Sequence, residues 1–258
     1  MMKFLHITDT HLVEPGKMLK GLDPQNRFNA CVNDIILHHS DAECCVITGD
    51  LADQGEPSAY EFLAQELERF NVPCHVLMGN HDHRQSVLSF FSKTGVDENG
   101  FVQYEIKTSA GIFLILDTVQ SGMDGGVYCE LRQKWLKKKF QEHSDSPIFL
   151  FMHHPPFDLH LPSIDRIGFA DKEPFTDIIK NSNPSIRHIF FGHAHRPLSG
   201  HWMGISFSSL RGTNHQVRLD FKSEQIGFVD EPPEYSVVFI SEDRLVVHSH
   251  SYPLTGKE

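Results

Sequence analysis

CHVLMGNHD, residues Cys74 to Asp82, is the stretch on which the fold turns. An apolar, β-prone run of five residues stops at a glycine and is followed at once by Asn80, His81 and Asp82. The same arrangement recurs along the chain. Lys3 to Thr8 leads into DTH (Asp9 to His11), and Glu43 to Thr48 leads into GD (Gly49 and Asp50). Ile148 to Met152 leads into HHPP (His153 to Pro156), and His188 to Phe191 leads into GHAH (Gly192 to His195). Ligands of α/β proteins collect beyond the carboxyl ends of strands, so five segments distant in sequence can converge on one cluster.

Residue types and spacing point to a pair of metal ions. Asp9 and His11 are two apart, as are His193 and His195, and in extended backbone both members of such a pair share one face and can reach one centre. The carboxylate of Asp50 has two oxygens with which to bridge two cations, and Asn80 offers a neutral carbonyl oxygen. Neighbours in an extended chain point opposite ways, so one of His153 and His154 faces the metals, and one of Asn80 and His81; the spacing does not choose between them. Taken singly, DTH or GD after a strand reads as a turn or helix cap. Five in order at strand ends do not.

The elements between the motifs fit a layered α/β protein. Asn26 to His39 sets Phe28, Val32, Ile35 and Ile36 at helical spacing, and Pro57 opens a helix with Tyr60, Leu63, Leu67 and Phe70 on one face. Glu130 to His143 aligns Leu131, Trp135 and Phe140 behind a solvated lysine side. Phe101 to Lys107 and Ile112 to Asp117 read as a hairpin around Ser109 to Gly111. From Met203 onward short strands are expected at Ile205–Leu210, Gln216–Phe221, Tyr235–Ile240 and Leu245–His250, within one domain spanning 1–258.

Composition excludes several classes. A net charge of −11 argues against a broad nucleic-acid or anionic-membrane surface. The first residues turn polar too soon for a signal peptide or a span, which suggests a cytoplasmic protein. Five cysteines without a CxxC pair read as reduced thiols, most of them buried. Of the eighteen histidines, His38 and His39 fit a helix C-terminus. His248 and His250 fit an exposed strand face, and His6, His75 and His188 fit structural positions within strands.

The ordered series DxH, GD, GNHD, H, GHxH resembles the calcineurin-like metallophosphoesterase superfamily over essentially the whole chain. FMHHPP (Phe151 to Pro156) and GTNHQV (Gly212 to Val217) are most similar to the branch of bacterial class III cyclic nucleotide phosphodiesterases and glycerophosphodiesterases. The resemblance implies a four-layer αββα sandwich with a small C-terminal β substructure. It implies one metal on Asp9, His11, Asp50 and His195, and another on Asp50, Asn80, His153 and His193, with Asp50 shared. Imidazole and carboxylate ligands suit iron, manganese, zinc or cobalt, and the family favours iron or manganese.

The activity implied is hydrolysis of a small phosphodiester, a cyclic nucleotide or a glycerophosphodiester, by attack of a metal-bound hydroxide. His81 is then the candidate for contacting the phosphate or protonating the leaving oxygen, and Asn80 also borders the substrate. His215 matches a substrate-side histidine, Arg196 either binds substrate or ties its loop, and Asp82 orients a histidine from behind. Lys20 in MLKGLD stands where the glycerophosphodiesterases have an aromatic residue, and MGNHD lacks the arginine and glutamate of the protein-phosphatase form RGNHE. No membrane or extended nucleic acid is expected as partner, and a homo-oligomer is compatible with the reading. The competing class is a non-enzymatic binding scaffold on the same fold.

Overall fold

The computed structural model describes residues 1–170 and 172–254. The chain runs β1 (Met2–Ile7), α1 (Pro24–His38), β2 (Cys44–Thr48), α2 (Pro57–Glu68), β3 (Cys74–Leu77) and α3 (Arg84–Phe90). It continues through β4 (Tyr104–Thr108), β5 (Gly111–Ile115), α4 (Glu130–Glu142), β6 (Ile148–Met152), α5 (Pro162–Asp165), α6 (Lys172–Ser182) and β7 (Ile186–Phe191). The last elements are β8 (Leu198–Trp202), β9 (Ile205–Ser209), β10 (Gln216–Val217), β11 (Phe228–Val229), β12 (Glu234–Ile240) and β13 (Leu245–Ser251).

Two sheets result, one of five strands in the order β13-β12-β1-β2-β3 and one of six in the order β4-β5-β6-β7-β9-β8. Strands β1, β2 and β3 are mutually parallel, as are β5, β6, β7 and β9. Every motif-bearing strand is thus internal to a parallel set or at its edge, and each delivers its motif at its carboxyl end.

Alternation along the strands builds four layers. Leu5 and Ile7 of β1 face a core shared with Phe28 and Val32 of α1 and Tyr60 and Leu63 of α2. Phe4, one residue before Leu5, faces a core with Phe113, Phe149, Phe151 and Phe190 of the other sheet. Leu114, Leu150 and Phe191 turn outward to Trp135 and Phe140 of α4 and Phe175 and Ile178 of α6. Burial on both faces explains why β6 throughout, and β2 up to Thr48, are apolar rather than alternating. Between the sheets the Phe4 ring meets Phe113, Phe151 and Phe190 edge-on at 5.1, 5.7 and 5.3 Å. Such pairs contribute about 0.5–1.5 kcal/mol each beyond their buried area.

The β-rich tail divides. Strand β9 joins the six-stranded sheet, β12 and β13 complete the five-stranded one, and only β10 and β11 stand apart as a two-stranded ribbon. The strand expected over Gln216–Phe221 ends at Val217, where Arg218 and Leu219 turn to solvent. Leu131 is 46% exposed, and Leu136 takes its expected place in the α4 core. The five cysteines are free, three of them buried and Cys74 and Cys129 half-buried. No helix among the described residues is long and apolar enough to cross a membrane.

Candidate metal centre

The motif residues lie just past the strand ends, where the backbone leaves the extended region. Asp9, His11, Asp50, His193 and His195 take φ of +50°, +41°, +50°, +67° and +47°. Side chains other than glycine pay on the order of 1–3 kcal/mol for such a conformation, and five of the nine cases in the described chain fall in this one cluster. The expectation that both members of each spaced pair reach one centre from extended backbone is corrected here. Asp9 and His11 do enter one cluster, but His193 and His195 part to opposite sides. Close approach sets the glycine requirement: a Cβ on Gly79 would strike the Asp50 carboxylate.

On one side Asp9, His11, Asp50 and His195 bring their ligand atoms together. His11 Nε2 lies 3.1 Å from His195 Nε2 and 3.4 Å from Asp50 Oδ2, and His195 Nε2 lies 3.4 Å from Asp9 Oδ1. On the other side Asn80 Oδ1 is 3.2 Å from His153 Nε2 and 3.1 Å from His193 Nδ1, and His153 Nε2 is 3.3 Å from Asp50 Oδ2. A single oxygen, Asp50 Oδ2, therefore touches both groups. Its Oδ1 accepts the amide of His81 at 3.0 Å, which holds the carboxylate plane in place.

The outer nitrogens test whether this donor set fits cations. His153 Nδ1 donates to Thr48 O at 2.8 Å, His195 Nδ1 to His215 O at 2.9 Å, and His193 Nε2 to Ile167 O at 3.0 Å. His11 Nδ1 donates to the Asp53 carboxylate at 3.0 Å. Carbonyl and carboxylate oxygens only accept, so in the neutral rings each proton sits outside and each inner nitrogen presents a lone pair. Two such lone pairs 3.1 Å apart, beside buried carboxylates, repel unless positive charge lies between them. The shifts of His153 and Asp50 show the same demand, although burial first, then His153, lowers His193 to about 3, and burial lowers His195. Burial lowers His153, yet Asp50 and then Asp9 overrule it and lift the imidazole to about 9. Burial also opposes charge on Asp50, but His153, then His81 and His11, hold it well below the usual range. The residues fit a pair of cations.

Around this centre the sequence-derived assignments sort themselves. Both nitrogens of His154 are engaged behind the site, Nδ1 with Thr118 Oγ1 at 2.8 Å and Nε2 with Asp124 O at 3.1 Å. His81 lies in a turn, where strand alternation no longer applies; its ring is 4.7 Å from that of His11, its Nδ1 donates to Asp53 O at 2.5 Å and its side chain is 40% exposed. His215 is buried, with its ring 4.9 Å from those of both His11 and His195, and Asn214 Nδ2 donates to its Nδ1, leaving a proton on Nε2. Arg196 donates to both Glu231 oxygens at 2.9 Å and to Val217 O, contacts that tie its loop to the segment around Glu231.

Among the described residues Asp82 makes no hydrogen bond or ion pair with a histidine side chain. It accepts from the amides of Leu51, Ala52 and Gly79 and from the Tyr60 hydroxyl, fastening the second and third motifs together. Asp53, three residues after Asp50, had no distinguishing mark beyond GDLAD, yet it holds His11 by its side chain and His81 by its carbonyl.

The profile of the family described as calcineurin-like phosphoesterase matches residues 2–197. A protein of Rhodopseudomonas palustris named a probable cyclic nucleotide phosphodiesterase is 39% identical over 99% of this chain and 94% of its own. A protein of Arcobacter nitrofigilis named a probable glycerophosphodiester phosphodiesterase is 26% identical over 96% of this chain and 92% of its own. Among solved structures, a dimetal phosphatase from Danio rerio superposes with a TM-score of 0.71 at 18% identity, over 96% of this chain and 95% of that one.

Proposed function

Because the chain belongs to the calcineurin-like phosphoesterase family, we infer that its two joined clusters hold a pair of cations and hydrolyse a small phosphodiester, either a cyclic nucleotide or a glycerophosphodiester. The observation that carries the reading is the set of four inner imidazole nitrogens. In the neutral ring each is left with a lone pair by an acceptor behind it, and they gather with Asp9, Asn80 and the shared Asp50 oxygen. Asp9, His11, Asp50 and His195 would hold one ion, and Asp50, Asn80, His153 and His193 the other. Bound there, the ions supply Lewis-acid polarisation of the phosphoryl group and acidify water. Oxygen and nitrogen donors without thiolate suit iron, manganese, zinc or cobalt, with iron or manganese first by family resemblance.

The protein's own groups supply the rest. His81, steadied through Nδ1 on the Asp53 carbonyl, keeps Nε2 for a substrate oxygen. Charged, it donates that proton as the P–O bond to the leaving group breaks, so that the alkoxide departs as the alcohol. His215 Nε2–H donates to a phosphoryl oxygen and anchors it without passing a proton. The relatives named above are both diesterases by name, and a diester brings one less negative charge than a monoester into a chain of net charge −11. A cytoplasmic setting suits five free thiols.

The test is turnover by manganese-reconstituted protein of bis(4-nitrophenyl) phosphate beside 4-nitrophenyl phosphate, then of 3′,5′-cyclic AMP, 2′,3′-cyclic AMP, glycerophosphocholine and glycerophosphoethanolamine. Faster cleavage of monoesters refutes the diester preference. Full metal loading without turnover of any ester replaces the enzyme with a binding scaffold.

A further inference from the structure

A cation stands beside this site on a turn built to hold it. Leu19 and Leu22 donate to each other's carbonyl oxygens at 2.8 and 3.0 Å, and between them Lys20 and Gly21 take φ of +53° and +78°. Two-residue turns with positive φ at both central positions favour asparagine or glycine at the first, so lysine is kept there against its backbone preference. The exposed Lys20 places its ammonium 4.2 Å from the centroid of the Phe228 ring. That ring meets His215 edge-on at 4.9 Å, and His215 in turn lies 4.9 Å from His11 and His195. Two aromatic rings thus separate the Lys20 charge from the candidate ligands.

Three acidic groups of the surrounding segments are matched to other bases, and Asp23, three residues on, accepts the amide of Asn26 at the start of α1. Asp230 pairs with Arg27, Glu231 with Arg196 and Arg211, and Glu14 with Lys17. Lys20 rests on an aromatic face, which attracts a cation without cancelling its formal charge. Lys20 therefore keeps a formal positive charge on this side of the site.

We propose that Lys20, seated on Phe228, selects diesters by the charge of their alcohol groups, disfavouring those with a quaternary ammonium or amine and admitting neutral or anionic ones such as a nucleoside. The proposal rests on the diesterase reading and narrows it toward cyclic nucleotides and away from choline and ethanolamine diesters.

Two esters isolate the charge: 4-nitrophenyl phosphocholine and its carbon isostere 4-nitrophenyl 3,3-dimethylbutyl phosphate. At a separation of about 10 Å, with a dielectric constant between about 80 and 20, repulsion from Lys20 corresponds to a ~2- to 20-fold lower kcat/KM for the choline ester. That ratio is expected in the wild type and in Lys20→Arg. It should collapse toward unity in Lys20→Met and invert in Lys20→Glu. In the wild type it should also shrink when salt rises from about 0.05 to 0.5 M, which a purely steric preference would not do. The same ratio in wild type, Lys20→Met and Lys20→Glu overturns the proposal while the enzyme stands. A wild type that cleaves neither these esters nor bis(4-nitrophenyl) phosphate removes the diesterase reading and this proposal with it.

Discussion

Replacing Asp53 separates the two halves of the centre. Its carboxylate accepts His11 Nδ1–H at 3.0 Å and is 13% exposed, while its backbone carbonyl, which no side-chain change removes, holds His81. The carboxylate raises the pKa of His11 against the burial that lowers it, and is itself held below the usual range by His11 once burial is overcome. Asn at this position keeps an acceptor of the same shape but turns a charge-assisted hydrogen bond into a neutral one. That is a difference of about 1 kcal/mol, or about fivefold in affinity for the ion on the His11 side. Ala leaves the His11 ring unoriented, for which losses of outer hydrogen-bond partners suggest about 10- to 100-fold. Competition titration with a metal indicator should show one weakened and one unchanged binding step, with kcat at saturating metal falling less than affinity. Equal weakening of both steps, or none with Ala, would refute the assignment of Asp53 to His11 and of His11 to one side of the pair.

Other outcomes follow from the same geometry. His154→Ala, which removes a ring bonded to Thr118 and Asp124, should lower stability by about 2–3 kcal/mol in urea unfolding yet retain metal, whereas His153→Ala should lose it; the reverse would exchange their roles. His81→Ala and His215→Ala should keep both ions, and for His81→Ala kcat should fall about 10²-fold with an alkyl leaving group and less with 4-nitrophenolate; equal falls would leave positioning as its only task. His6 and His188, buried between the sheets, are lowered to about 3, mainly by burial. Below about pH 6.5 the unfolded chain takes up protons that the folded chain refuses, so stability is lost as pH falls from there toward 3. The loss is about 2 kcal/mol per residue by pH 5. With chelator present throughout, His188→Gln should shrink the pH 7 to pH 5 stability difference by that amount; an unchanged difference would contradict it.

Strand ends and ligand types were legible because β2, β6 and the C-terminal half of β7, buried on both faces, leave apolar runs followed within three residues by a metal-competent side chain. Backbone direction past those ends was not, since a left-handed residue such as His193 reverses the alternation that spacing assumes. Helix α6 escaped notice because Pro174 reads as a breaker, although in a first turn no helical N–H is needed from it. Asp53, three residues past GD, and Asp82, closing GNHD, are not told apart in role by sequence. Only the fold shows one against a histidine ring and the other capping three backbone amides. Arg196 sits beside the ligands in sequence but is claimed by Glu231, thirty-five residues on.

The central claim is that Asp50 Oδ2 joins two ion sites. Metal analysis of protein reconstituted with manganese, iron, zinc or cobalt, run side by side on wild type and Asp50→Ala, tests it most directly. The account expects two ions per chain and diester hydrolysis in the wild type, with both lost together in Asp50→Ala. One ion or none in the wild type, or an Asp50→Ala protein that still carries two and turns over, would contradict it.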